Sequence, residues 1–458
     1  MTQTTLLGNG VVLTGAVSDA APQGEVIVNG AVVWTDDRIV AVGAEPDLRR
    51  QYPKARYVDA HGGMILPGLV NLHHHFYSAL ARGLDPRIEI GNFGEVLDRL
   101  WWRLDRALDP DTVRLSAALS LAACIREGCT TVFDHHASPN CIDGSLDLIA
   151  EEVERCGLSA ALCYEVTDRN GHDGALAGLA ENLRFLAEHK NHARVRGIVG
   201  LHASFTLRDQ TLELVARDRP EGAGCHIHVA EDPIDVIWSN EQFGTGPVDR
   251  LTAFGLLDES SLLAHGIHLE RPSYEVIAAH DAVIVHNPES NAHNGVGHLD
   301  VAGARRYGCL VGLGTDGMSS SVLRALRAAF LLQRHERRDP SGGFSAVPGL
   351  LAANARVARR FFDEPLLGVL APEAPADVIV VDAPPPSPLD ERNAFAHLVY
   401  GASDAPVRHT VARGRVLLQD FAHTAVDVAE IAAKARRLTP PLWGRFHALP
   451  WGTRFLGA

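Results

Sequence analysis

Between residues 64 and 370, short apolar runs alternate with stretches of helical period, and this alternation constrains the fold more than any other property of the chain. "TTVFDHH", "SAALCYEV", "VRGIVGLHAS", "GCHIHVAE", "SLLAHGIHL", "AVIVHNPES" and "CLVGLGTDG" each read as a strand. Helical segments such as "RLSAALSLAACIREG", "LDLIAEEVERCG" and "ALAGLAENLRFLAEH" stand between them. With "MILPGLVNL" in front, about eight strand–helix units follow one another. The pattern predicts an α/β chain built on a parallel (β/α)8 barrel, in preference to a doubly wound sheet.

The flanks read differently. "GVVLTG", "GEVIVNGAVVW" and "DRIVAVG" carry alternating apolar positions broken by tight turns, and β signals return in "ADVIVVD", "HLVYG" and "VRHTVARGRVLLQD" before a terminal helix near "DVAEIAAKARRL". The expected organisation is residues 1–66 and 371–458 forming one small β-sandwich domain from both chain ends, with the barrel, 67–370, inserted between them.

Composition narrows the partners. The formal charge is −14 and no basic cluster is present, which argues against a nucleic-acid or anionic-membrane surface. No apolar run approaches a membrane span, and the start has no signal-peptide pattern. Seven cysteines without a Cys-x-x-Cys spacing suit reduced thiols in the cytoplasm. The expected partner is a small heterocyclic amine, with no nucleic acid and no membrane.

Polar residues collect at the carboxyl ends of the predicted strands, where such barrels build their sites. "VNLHHHFYSAL" offers His73 and His75, which strand period places on one face while His74 takes the other. His202 follows in "VGLHASF", then His226, His228 and Glu231 in "CHIHVAE", His265 and His268 in "LLAHGIHL", His286, Asn287, Glu289 and Asn291 in "VHNPESN", and Asp316 in "VGLGTDG". Imidazole nitrogen and carboxylate oxygen suit Zn²⁺ or Fe²⁺. His73, His75, one histidine of "HIH" and Asp316 make a plausible ligand set. The chain has only Lys54, Lys190 and Lys434, none at a predicted strand end, so a lysine bridging two metals is excluded and one divalent ion is expected.

These residues resemble the amidohydrolase superfamily, in its cytosine deaminase-like and chlorohydrolase-like branch. The matching segments are "LPGLVNLHHH", "HVAE", "AHGIHL", "HNPESN" and "GLGTDG", and the likeness extends to "LLGVLAPEAPADVIVVD", where Pro375 replaces the family's usual lysine. Within the branch, "HFYSALARGL", "LWWRLDRALD" and "SAALCYEVTDRNG" look most like the aminohydrolases called SsnA, and "HHHF" is similar to 8-oxoguanine deaminases.

The resemblance implies His73, His75, His228 and Asp316 as metal ligands, with zinc the first choice and iron the second. It implies Glu231 as the acid that carries a proton to the substrate ring, His265 as the histidine that orients the attacking water, and His202, Asn291 and Glu289 as substrate contacts. The implied reaction is hydrolytic deamination of an aromatic N-heterocycle, a purine or pterin such as guanine or 8-oxoguanine. Chlorohydrolase, alkylaminohydrolase or formimino/amidine hydrolase chemistry at the same site is the alternative. Barrels of this branch commonly pair, so a homodimer is expected.

Duller readings compete. Asp316 could cap the helix that starts in "SSSVLRALRAAF", Glu231 could be a solvated loop acid, and Trp101 and Trp102 read as packing. Gly312, Gly314 and Gly317 also spell G-x-G-x-x-G between a strand and a helix, the dinucleotide fingerprint, though no acidic residue follows at a second strand end. A noncatalytic metal-binding protein is the remaining rival.

Overall fold

The structure is a computed structural model that describes residues 3–17 and 24–452. Eight parallel strands form the barrel: Leu69–His74, Cys129–His136, Ser159–Tyr164, a fourth in two pieces (Val195–Gly197 and Val199–Ala203), Cys225–Val229, Leu262–His265, Val283–His286 and Leu310–Leu313. The fourth breaks at Ile198, and pairing with the third resumes through a Val166–Leu201 bridge. Most strand residues are buried on both faces, the condition of a parallel sheet sheathed by helices. Local chemistry starts those helices cleanly: Asp109 and Thr112 form a reciprocal capping box ahead of Pro110–Arg126, with proline at the first position.

Closure between the first and last strands matters most for the site. The carbonyl of His73 accepts from the backbone N–H of both Thr315 and Asp316 at 3.0 Å, and His74 bridges Asp316. Asn354, buried in the helix Leu350–Phe362, clamps the same seam. Its Nδ2 donates to the carbonyls of Val70 (2.7 Å) and Leu313 (2.9 Å), while its Oδ1 accepts from Leu313 N (2.7 Å).

The glycines of "GLGTDG" serve this seam. A Cβ on Gly314 would collide with Asn287 Oδ1 and lie 2.7 Å from His73 Cβ, and one on Gly312 would lie 2.5 Å from Leu72 Cδ1. Close strand approach accounts for both glycines, and the dinucleotide reading is set aside.

The second domain is one hydrogen-bonded sheet of nine strands drawn from both chain ends, in which Met64–Pro67 pairs with Val378–Val381. The sheet curls so that Ile39 exchanges backbone bonds with Glu373 and Ala374, enclosing a core that includes Val12, Val32, Trp34, Ile65, Val378 and Val380. The strand Met64–Pro67 of this sheet ends one residue beyond the expected division after residue 66, so "MILPGLVNL" is split at Gly68 with Leu69–His74 in the barrel. One assignment differs from expectation. The terminal helix Val428–Ala448 packs on the barrel's Pro110–Arg126 instead of on the sheet. Trp443 Nε1 donates to Leu80 O at 2.9 Å, and Arg445 Nε to Ala107 O at 2.8 Å.

Candidate metal centre and active site

At the carboxyl end of the barrel, His73 and His75 converge with their ring centroids 4.8 Å apart. His75 Nε2 lies 3.2 Å from His228 Nε2 and 3.2 Å from Asp316 Oδ1, and His73 Nε2 lies 3.7 Å from the same oxygen. His265 Nε2 stands 3.9 Å from Asp316 Oδ2 and 3.4 Å from Glu231 Oε2. The structure thus gathers His73, His75, His228, His265, Glu231 and Asp316 from the ends of four strands. His74 turns away, its Nε2 3.1 Å from Ser320 Oγ.

Hydrogen bonds behind the rings set their tautomers. His75 Nδ1 donates to His135 O (2.6 Å), His228 Nδ1 to His202 O (2.8 Å) and His265 Nδ1 to Asn291 Oδ1 (2.8 Å), so that in the neutral form of each ring Nε2 is a lone pair facing the centre. His226, the other histidine of "HIH", stands behind His73, its Nε2 2.8 Å from His73 Nδ1. The Nε2 atoms of His73 and His265 are buried without a hydrogen-bond partner. Orphaned lone pairs converging on one carboxylate suit a divalent cation, each ring being oriented from behind as metal-binding histidines are.

Charge distribution separates the two acids. Burial works against the Asp316 carboxylate, but the bond to His75 and the Ser290 hydroxyl, which donates to Oδ2 at 2.6 Å, hold it well below the usual carboxylate range. Burial pushes Glu231 well above that range, and the Asp316 charge adds to the shift. Burial lowers His73, His228 and His265, whereas in His75 Asp316 overcomes burial and raises the ring to about 8. Asp316 and His265 adopt left-handed backbone with φ of 53° and 76°, the kind of strain that clusters at functional sites. Ser321, not Asp316, caps the helix Val322–Arg337.

A cavity of about 710 Å³ opens over the nest. His75, His228, Glu231 and Asp316 reach its wall, with His202, Trp101, Trp102, Phe93, Phe205 and Asn294 around them. His202 lines it with Nδ1 2.7 Å from Thr206 Oγ1. Two residues expected at the substrate stand elsewhere. Asn291 is buried behind His265, and Glu289 accepts from Ser319 Oγ at 2.8 Å, outside the cavity-lining set among the described residues. His268 bonds Val296 O, and His286 packs on His298.

Sequence reasoning passed over His135, Glu165, Asn294 and Ser290. The first two sit at or just beyond the ends of the second and third strands, the same signal that marked the others. Asn294 and Ser290 come from the helix Pro288–Asn294, and only the fold turns them inward.

A profile of the amidohydrolase family matches residues 64–417. The chain belongs to the amidohydrolase family. This amidohydrolase is 30% identical over 421 residues to a 5-methylthioadenosine/S-adenosylhomocysteine deaminase of Pelotomaculum thermopropionicum, covering 89% of this chain and 93% of the relative. It is 28% identical to a 5'-deoxyadenosine deaminase of Methanosarcina mazei, covering 92% and 95%. Its fold matches that of an adenosine deaminase from Xanthomonas campestris with bound zinc, at TM-score 0.81 and 22% identity over 97% of this chain and 99% of the other. It also matches an atrazine chlorohydrolase from Arthrobacter aurescens complexed with zinc, at TM-score 0.79 and 21% identity over 95% and 100%. The amidohydrolase is a hydrolase acting on carbon–nitrogen bonds, and no helix among its described residues is long and apolar enough to cross a membrane.

Proposed function

We propose that the enzyme is a hydrolytic deaminase of an aminopurine that works with one divalent ion, zinc before iron, held by His73, His75, His228 and Asp316. The observation that carries this reading is the separation of two neighbouring acids, Asp316 held ionised and Glu231 held protonated, at the floor of a cavity spacious enough for a purine derivative. An ion bound there supplies a Lewis acid and acidifies water from a pKa of 15.7 to about 7.

The chain's own groups do the rest. Asp316 Oδ2, kept as a carboxylate, accepts a proton from the attacking water, and His265, held by Asn291, orients that water. Glu231 donates a proton to the ring nitrogen beside the amine-bearing carbon and makes that carbon electrophilic. Collapse of the tetrahedral carbon expels ammonia, with Asp316 returning its proton to the leaving amine and the new hydroxyl giving its own proton to Glu231 as the carbonyl forms. Relatives named for 5-methylthioadenosine, S-adenosylhomocysteine and 5'-deoxyadenosine support a purine amine and put adenosine-type compounds on the panel beside guanine and 8-oxoguanine. We also propose a cytoplasmic location, supported by seven unpaired cysteines, and a homodimer.

Ammonia release from metal-replete enzyme across adenosine-type nucleosides, guanine, 8-oxoguanine, pterins and cytosine tests the reading. Turnover of a purine amine is the expected result. Silence on every amine, with chloride released from a chlorinated triazine, would replace deamination by dechlorination.

A further inference from the structure

The reaction above leaves the outer wall of the cavity without a role. Phe93, Leu97, Leu100, Trp101 and Trp102 line it from one helical stretch, residues 93–107, which Asn92 starts by accepting from Glu95 N. Its middle, Leu97–Trp101, is a π turn, an irregularity that recurs at functional sites.

The inner face of this stretch crosses the barrel mouth. Phe93, Leu97 and Trp102 form one apolar cluster with Ala203 and Phe205 at the end of the fourth strand and Val296 beyond the seventh. The Trp101 ring abuts Tyr77, centroids 6.2 Å apart, and Tyr77 abuts His75 at 5.4 Å. The Trp102 ring abuts His202 at 5.9 Å. A shift of the wall therefore reaches the metal nest through these ring contacts.

The outer face is held by the end of the chain. Arg106 Nη2 donates to Pro450 O (2.8 Å) while its Nε donates to Trp102 O (2.7 Å), so one guanidinium links the tail to the backbone of a cavity-lining tryptophan. Arg103, nearly buried, donates through Nη2 to Phe446 O (3.1 Å) and through Nη1 to Arg99 O (3.1 Å), with its guanidinium 4.2 Å from the Phe446 ring centroid. Gly452 N donates to Asp98 Oδ2 at 2.7 Å, and the Arg99 guanidinium lies over the Trp451 ring at 5.4 Å. Residues 446–452 thus run along the back of residues 98–106 as a strap. The fixed fork of each arginine, with donors pointing in different directions, lets it bond carbonyls on two segments at once.

We propose that this strap is a substrate-affinity element: by fixing Trp101 and Trp102 it keeps in place the wall on which the substrate packs, with Arg103 and Arg106 as positioning residues. The identity of the ligand, a purine amine, rests on the deaminase reading; the clasp itself does not. No strap residue touches the reacting atoms. Loosening the strap lowers the fraction of enzyme whose wall is in place and weakens apparent affinity by that fraction. Substrate and transition state lose the wall alike, so KM rises while kcat holds.

Arg106→Met and Trp451→Ala, singly and together in zinc-loaded enzyme, test this, with zinc content as the control. Hydrogen exchange is read by mass spectrometry over residues 93–107 and over the barrel strands, and kcat and KM are measured with 5'-deoxyadenosine and guanine. The expected result is faster exchange confined to 93–107. In the double variant KM rises roughly tenfold at constant kcat, the size of one hydrogen bond to a charged group. Unchanged exchange over 93–107 in the double variant overturns the proposal. So does faster exchange there with KM held, or a fall in kcat alone. If the wild-type enzyme releases ammonia from neither compound, that result counts against the deaminase reading, and the exchange comparison alone decides the strap.

Discussion

Metal loading of the apo-protein should release a proton, and the structure says how much and over which pH range. His73, His228 and His265 are depressed by burial and stay neutral near pH 7, while Asp316 stays ionised, so the proton to be displaced is the one on His75. Burial opposes that proton, but Asp316 at 3.2 Å raises the ring to about 8. A raised pKa means the competitor is bound below about 8 and lost as pH rises through it. Below pH 7 zinc affinity should therefore climb about tenfold per pH unit, about 1.4 kcal/mol per unit, as His75 gives up its proton. Above pH 8 that contribution ends, and only ionisation of the metal-bound water, of pKa about 7, carries the slope. His75 should lose about one proton per zinc at pH 6 to 7 and almost none at pH 9, where the proton released comes from the bound water. Calorimetry of zinc binding to apo-enzyme, repeated in buffers of different ionisation enthalpy, counts the protons directly. A pH-independent affinity, or no proton released at pH 7, would refute either the His75–Asp316 pairing or the place of His75 among the ligands.

Further outcomes follow from single contacts. Glu231→Gln should keep the ion and lose about 10²–10⁴-fold in turnover, whereas His73→Ala should lose the ion; metal content and kcat on both variants separate the roles. Ser290→Ala removes the 2.6 Å bond to Asp316 and should weaken zinc binding or activity about 10–100-fold, read by competition with a chelator. Asn354→Leu leaves backbone groups of the first and last strands unpaired at the barrel seam, and each should cost about 1–3 kcal/mol in denaturant unfolding. Gly314→Ala forces a methyl group between His73 and Asn287 and should lower Tm, with overpacking of about 1–3 kcal/mol.

Much of this enzyme was legible in its residues because two periodicities carry local information. Apolar runs separated by helical stretches specify parallel strands, and strand ends in a barrel share one face, so the histidines of "HHH" and "HIH", with Glu231, His265 and Asp316, could be assigned to a common rim. Period two also put His73 and His75 together and turned His74 away. What the linear pattern lacked was partnership across the barrel. The roles of Asn291 and Glu289 depended on side-chain direction in the helix after the seventh strand, which places Asn291 behind His265 and Glu289 against Ser319. The terminal helix bears an apolar stripe that strand signals nearby assigned to the β-domain, and packing gave it to the barrel.

Local sequence thus determined which elements form and which donors each strand carries to its end, since both depend on residues a few positions apart. Tertiary structure alone decided orientation and the balance between the two acids. The seam between residues 73 and 316 brings carboxylate and imidazole within 4 Å in a buried pocket, which holds Asp316 below the usual carboxylate range, while burial, with the Asp316 charge adding, pushes Glu231 above it.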